Sequence, residues 1–154
     1  MPDLQTSNCP DHATLQAGAI FSLVGEVALV TGASSGLGRR FAKVLAANGA
    51  SLALAGRREP EPLSLAAEIR IMGGVAVAAA FDLRDRDRIP RIFSQVETEL
   101  GPPTIVVNNA GFSAECPVAD LDFASWRDIL DVDLDALFLT SREAARCMAP
   151  KGAR

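Results

Sequence analysis

An α/β fold built on a doubly wound parallel sheet is what this 154-residue sequence predicts. Three observations carry that reading. Four short apolar runs recur along the chain, each more continuous than a half-exposed strand would be. After each comes a stretch with helical apolar spacing. Glycines and prolines punctuate the joins. Alternating strands and helices imply parallel strands linked by right-handed crossovers.

Taken in order, residues 1–19 are polar and unpatterned and read as a flexible N-terminal arm, with one folded domain over 20–154. Val27-Ala28-Leu29-Val30 is the first strand, ending in Thr31-Gly32. A helix follows from Gly36, with Leu37, Phe41, Val44 and Leu45 as its apolar stripe, and Asn48-Gly49 stops it. Residues 51–55 form the second strand. Residues 62–72 form a helix closed by Gly73-Gly74, and residues 75–81 the third strand. Asp85 or Asp87 caps a third helix bearing Ile89, Ile92, Phe93, Val96 and Leu100; with Asp87 as the cap, Pro90 falls in the first turn, where its missing N–H does little harm. Gly101-Pro102-Pro103 ends it, and residues 104–107 make the fourth strand. A long helix is expected over 123–148, with Trp126, Ile129, Leu130, Leu134, Leu137 and Phe138 facing the core. The expected strand order is 3-2-1-4, with a ligand crevice between strands one and four, where the order reverses.

Composition narrows the class. Apolar residues make up 49% and charged residues 22%, the balance of a globular domain. A net charge of -4 offers no field to hold nucleic acid phosphates. No apolar stretch is long enough to span a membrane. The N-terminus lacks a signal peptide's basic region, so the expectation is a cytoplasmic protein. Cys9, Cys116 and Cys147 form no CxxC pair and His12 is the single histidine, so free thiols are expected and no metal site.

The chemistry concentrates at strand ends. Thr31-Gly32-Ala33-Ser34-Ser35-Gly36-Leu37-Gly38 lies between a buried strand and a helix. Gly32 permits the sharp turn, Gly36 lets backbone approach a pyrophosphate, and Gly38 lets the helix pack closely. The helix start supplies unpaired N–H groups, and Ser34 and Ser35 add hydroxyl donors. At the end of the second strand stands Gly56, where an acidic residue would be needed to hold a free ribose 2′-OH. Arg57 and Arg58 offer guanidinium groups suited to a 2′-phosphate instead, which favours NADP over NAD.

On these residues the chain resembles the short-chain dehydrogenase/reductase family and its Rossmann-type sheet. Thr31, Gly32, Gly36 and Gly38 match TGxxxGxG, Asp82-Leu83 match the Asp-aliphatic pair after strand three, and Asn108 to Gly111 match NNAG after strand four. The resemblance implies that Asp82 bonds the adenine amino group and that Leu83 presents backbone nearby. It implies that Asn109, Ala110 and Gly111 line the crevice beside the adenosine ribose, while Asn108 ties strands together. It implies an NADP-linked oxidoreductase that moves a hydride between nicotinamide and a small-molecule alcohol or carbonyl.

Two features depart from the family. Its catalytic Ser, Tyr and Lys lie beyond this stretch, on the next strand and helix. This sequence has no tyrosine, and its lysines are Lys43 and Lys151. The expectation is therefore a sheet truncated after strand four and the long helix. Its open strand edge would favour homo-oligomers or aggregation. The second departure is Asp133, which stands where the family has a catalytic Asn acting largely through its backbone carbonyl. Asp131 and Asp135, four apart, should repel by about 0.2–0.5 kcal/mol if that stretch is α-helical. The alternative to an oxidoreductase is a non-catalytic dinucleotide-binding or interaction module on the same half-fold. A phosphoryl or acyl transferase is disfavoured, since no GK[ST] follows the glycines and no nucleophile–base pair is visible.

Overall fold

The computed structural model of the chain describes residues 21–58 and 60–149, together with Gly18. The rest of the expected arm, with Cys9 and His12, lies outside the described residues, as do Glu59 and Lys151. The elements are β1 (Val27–Thr31), α1 (Gly36–Ala47), β2 (Ser51–Gly56), α2 (Pro60–Ile71), β3 (Ala76–Ala80), α3 (Arg88–Leu100) and β4 (Ile105–Val107). A 3-10 turn (Val118–Asp120) leads into α4 (Phe123–Leu130), a π-helical turn (Asp131–Ala136) and α5 (Leu137–Met148).

The sheet is parallel throughout, in the order β3-β2-β1-β4. Leu29 of β1 stands opposite Ala53 on one side and Val106 on the other. Because side chains alternate along a strand, each apolar run feeds two cores. Val27, Leu29, Ala53, Ala55 and Ala79 pack under α3, where they meet Ile89, Ile92, Phe93 and Val96, and beside Ala136 and Ala144. Ala28, Val30, Leu52, Leu54 and Ala76 pack on the opposite face against Ala42 of α1 and Leu65, Ala66 and Ile69 of α2. Burial on both faces is why the runs carry no polar alternation. Each large side chain removed from water there contributes about 1.5–3 kcal/mol.

Three expectations change. On α1, Leu37 is 68% exposed, and Phe41 and Val44 are exposed too; Gly38 and Ala42 are the buried residues. A Cβ on Gly38 would overlap the carbonyl of Gly32 and meet its carbonyl carbon at 2.9 Å. That contact pins the Gly38 side of α1 to the glycine loop and rotates the apolar stripe sideways. The second change concerns the start of α3. Asp87 stands at the cap position, but its side chain makes no capping bond; backbone bonds from Arg88 N–H to Asp85 and from Ile89 N–H to Arg86 shape the entry instead.

The long helix is the third. It is interrupted by the π-helical turn, and Trp126, Leu134, Leu137 and Phe138 are exposed, while Ala136, Thr140, Glu143 and Ala144 are buried. The helix meets the core mainly through Ala136 and Ala144, with Leu139 and Cys147 partly buried beside them, while Trp126, Leu134, Leu137 and Phe138 project away. The repulsion expected between Asp131 and Asp135 is answered from another part of the chain. Arg86 Nη2 donates to both, at 2.9 and 2.7 Å. The wider π turn carries Asp133 the other way, toward the segment after β4.

Candidate functional site

The C-terminal ends of the strands open into a cleft of about 480 Å³, placed where the chain order of the sheet reverses between β1 and β4. Its floor is the glycine loop. Gly32 takes φ +64°, and a Cβ there would lie 2.8 Å from Ala110 Cα, so no side chain fits between the loop and the segment after β4. Gly36 takes φ +53° and faces open space. Ser35 stands at the cap position of α1 without a side-chain bond to its first turn, which also has no acidic residue. The N–H groups of that turn are therefore open to an anion, reinforced by the helix dipole.

The loop is tied to β4 by a small polar knot. Thr31, nearly fully buried, accepts from the N–H groups of Asn109 and Ala110 at 3.0 and 3.1 Å through its Oγ1, which donates to the Val107 carbonyl at 3.3 Å. Asn109 Nδ2 donates to the carbonyls of Thr31 and Gly32, at 3.1 and 3.2 Å. Asn109 is thus the residue that ties strand ends together. Asn108, expected in that role, reaches the helix instead: Thr140 Oγ1 donates to its Oδ1 at 2.6 Å, and its Nδ2 donates to Ser141 Oγ at 3.1 Å. Consecutive residues leaving an extended strand point to opposite sides, which explains the exchange.

At the end of β2, a Cβ on Gly56 would meet the Ser34 hydroxyl and stand 2.7 Å from Pro62 Cγ. An acidic side chain cannot start from this position without displacing both. Arg57 and Arg58 line the cleft beside it. Arg58 is held at Nε by Glu61, at 2.9 Å. At the end of β3, Asp82 and Leu83 line the same wall. Hydrogen bonds from Arg84 hold the Asp82 carboxyl below its ordinary range, with Arg57 contributing through charge, so it is an anion at neutral pH.

On the far side lie Asn109, Ala110, Gly111, Phe112 and Val132. Asp133 is exposed, and its Oδ1 accepts from the Phe112 N–H at 3.2 Å. A Cβ on Gly111 would sit 3.1 Å from the same oxygen. Asp133 therefore acts on the segment after β4 through its carboxylate.

The cleft brings together Gly32, Ser34, Ser35, Leu37, Arg57, Arg58, Asp82, Leu83, Asn109, Ala110 and Gly111. Ala33 is buried in the core, its N–H bonded to the Ala55 carbonyl, and Gly38 lies beneath the loop; both shape the floor without lining it. Phe81, Arg84, Phe112 and Val132 line the cleft and were not singled out from sequence. Two offered a signal: Arg84 stands two residues after Asp82, within side-chain reach, and Phe112 directly follows the Asn-Asn-Ala-Gly run. Among the described residues, no group of three or more His, Cys, Asp and Glu is placed to hold a metal ion. No helix among them is long and apolar enough to cross a membrane.

Comparison with known proteins agrees with this architecture. A family model described as short chain dehydrogenase matches residues 26–154. A short chain dehydrogenase of Pseudocercospora fijiensis is 43% identical over 122 residues, covering 78% of this chain and 40% of that protein. Gluconate 5-dehydrogenase of Gluconobacter oxydans is 36% identical, covering 86% of this chain and 52% of the relative. Among solved structures, a gluconate 5-dehydrogenase from Burkholderia cenocepacia in complex with NADP and tartrate superposes with a TM-score of 0.78 at 31% identity. That match covers 85% of this chain and 51% of the other. The chain thus spans about half the length of the relatives it matches.

Proposed function

The chain belongs to the short chain dehydrogenase family, and on that premise we propose that it forms the NADP-binding part of an oxidoreductase acting on a small-molecule alcohol or carbonyl. The observation that carries the choice of cofactor is the end of β2. Gly56 carries no carboxylate to grip a ribose 2′-OH, and a side chain there would have to displace Ser34 and Pro62. Arg57 and Arg58 stand at the same wall, and a guanidinium matches a 2′-phosphate in charge and shape. Glu61 holds Arg58, which leaves Arg57 as the principal cation for that phosphate.

The uncapped start of α1, with Gly36 facing open space, fits a pyrophosphate. Ser34 and Ser35 add hydroxyl donors. Asp82 accepts from the adenine amino group. Asn109 holds the glycine loop against β4 and so fixes the ribose-side wall. Asp133 orients the Phe112 backbone at the opposite end. Bound here, the dinucleotide supplies a hydride-carrying nicotinamide; the residues of this chain bind and orient it. The site is small-molecule in character and calls for neither nucleic acid nor membrane.

Titrating the 154-residue chain with NADP and NAD, followed by calorimetry, tests the reading. NADP is expected to bind at least tenfold more tightly, the effect of one charge-assisted contact of about 1.5–3 kcal/mol. Arg57→Ala should remove most of that preference. Equal affinity for the two, or a preference that survives Arg57→Ala, overturns the assignment.

A further inference from the structure

Arg84 is the least expected residue of the cleft. It sits on the loop after β3, and its contacts are unusually numerous for a half-exposed side chain. Its backbone N–H donates to Asp82 Oδ1 at 3.0 Å, Nε lies 3.2 Å from both carboxylate oxygens, and Nη2 donates to Oδ2 at 2.7 Å. Its remaining arm, Nη1, reaches Asp128 Oδ2 on α4 at 3.5 Å. A single guanidinium thus joins the loop after β3 to α4.

A carboxylate offers about four lone-pair sites and no donor. Three N–H groups of Arg84 already occupy Asp82. Both oxygens are held, which restrains the carboxyl from turning and narrows the directions from which a further donor can approach. From this geometry we infer that Arg84 is a positioning residue that makes the adenine end of the cleft selective for a base with an exocyclic amino group. The inference rests on the dinucleotide reading above and deepens it.

The physical reason is the fixed direction of the acceptor. Adenine presents an amino donor at position 6 and an acceptor at position 1. Hypoxanthine reverses the two, with a keto oxygen at 6 and an N–H at 1. A carboxylate free to turn can follow the donor in either base. One clamped on its other sites by Arg84, and tied through it to Asp128, meets the keto oxygen of hypoxanthine with its own oxygen. Two acceptors facing one another leave both without a partner. The fork-shaped guanidinium is needed for this, because a lysine at the same position would be a point charge around which the carboxylate still turns.

The test compares NADP with nicotinamide hypoxanthine dinucleotide phosphate, binding each to the full chain and to Arg84→Ala, Arg84→Lys and Asp128→Ala. The unsubstituted chain should prefer NADP by roughly tenfold, the lower part of the range for one unsatisfied polar pair. Both Arg84 variants should bring the two affinities to near parity, with NADP itself weakened less than the preference. Asp128→Ala, which leaves the contacts to Asp82 in place, should reduce the preference partially. It also serves as the test if loss of Arg84 prevents folding, as read by a thermal melt. A merely structural role would weaken both dinucleotides equally, so an unchanged preference in a folded Arg84 variant overturns the inference while leaving the NADP reading standing. Failure of the unsubstituted chain to bind either dinucleotide overturns that reading, and this inference with it.

Discussion

The sheet and the α4–α5 segment are held by different forces. In β1 and β2, side chains from both faces are removed from water, and Leu29, Leu52 and Leu54 are at most 1% exposed. Across α4, the π turn and α5, Phe123, Trp126, Leu134, Leu137 and Phe138 point outward, and the core is met by Ala136 and Ala144 with Leu139 and Cys147 partly buried beside them. What compensates is charge: Arg84 reaches Asp128, Arg86 reaches Asp131 and Asp135, and Arg127 lies 3.4 Å from Asp131. Where two faces can be buried, the hydrophobic effect sets the structure. Where a helix touches a sheet through small side chains, polar contacts decide how it sits. The cleft lies on the boundary between the two regimes, with the glycine loop on the rigid side and Asp133 on the other.

The sharpest way to break this comparison is to truncate one apolar side chain in each region. Leu54→Ala should cost about 2–5 kcal/mol, because the space it leaves under α2 closes only in part. Phe138→Ala, at a residue 60% exposed, should cost no more than about 0.5 kcal/mol. Urea midpoints with unchanged slopes measure both. Similar losses would mean that the outward residues of α5 are buried in solution, for instance against a second copy of the chain.

Next in size is the knot at the join. Thr31→Val keeps the shape and removes the oxygen that accepts from Asn109 and Ala110. Leaving those N–H groups unpaired should cost about 1–3 kcal/mol and lower NADP affinity, since the same bonds hold the loop against β4. Loss of stability without loss of affinity would show that the loop keeps its form independently of β4.

The smallest effect is expected where charge acts near water. Arg86→Ala removes the bridge to Asp131 and Asp135 but should cost only about 0.5–1 kcal/mol at low salt. The cost should shrink at about 1 M salt, where screening acts within about 3 Å. A larger, salt-independent loss would mean that Arg86 holds the π turn by something other than its charge.

Much of this was legible in the chain because it is written locally. Apolar runs without alternation mark strands buried on both faces, and Gly73 and Gly101, both with positive φ, mark breaks after helices. The strand-turn-helix setting of the glycine loop pointed to anion binding through backbone groups, and those groups need only the local chain to form. The stripe of α1 turns away from the core for a reason that spacing does not carry. Leu37, Phe41 and Val44 do form an apolar face, but periodicity gives the existence of a face and not its direction. Gly38, whose missing side chain lets the helix touch Gly32, sets the direction. The π turn was illegible because its acids look repulsive until Arg86, 45 residues earlier in the chain, is brought beside them.

The sequence by itself determined the order of elements, the parallel sheet and the family, because each follows from short-range spacing of apolar residues and glycines. Only the tertiary structure decided which asparagine ties the loop, where Asp133 points and that Arg84 also reaches Asp128. Those contacts join residues 21 to 79 positions apart, or turn on a side-chain direction that spacing does not encode. Their energies depend on distances of a few tenths of an ångström, which exist only once the sheet and helices have packed.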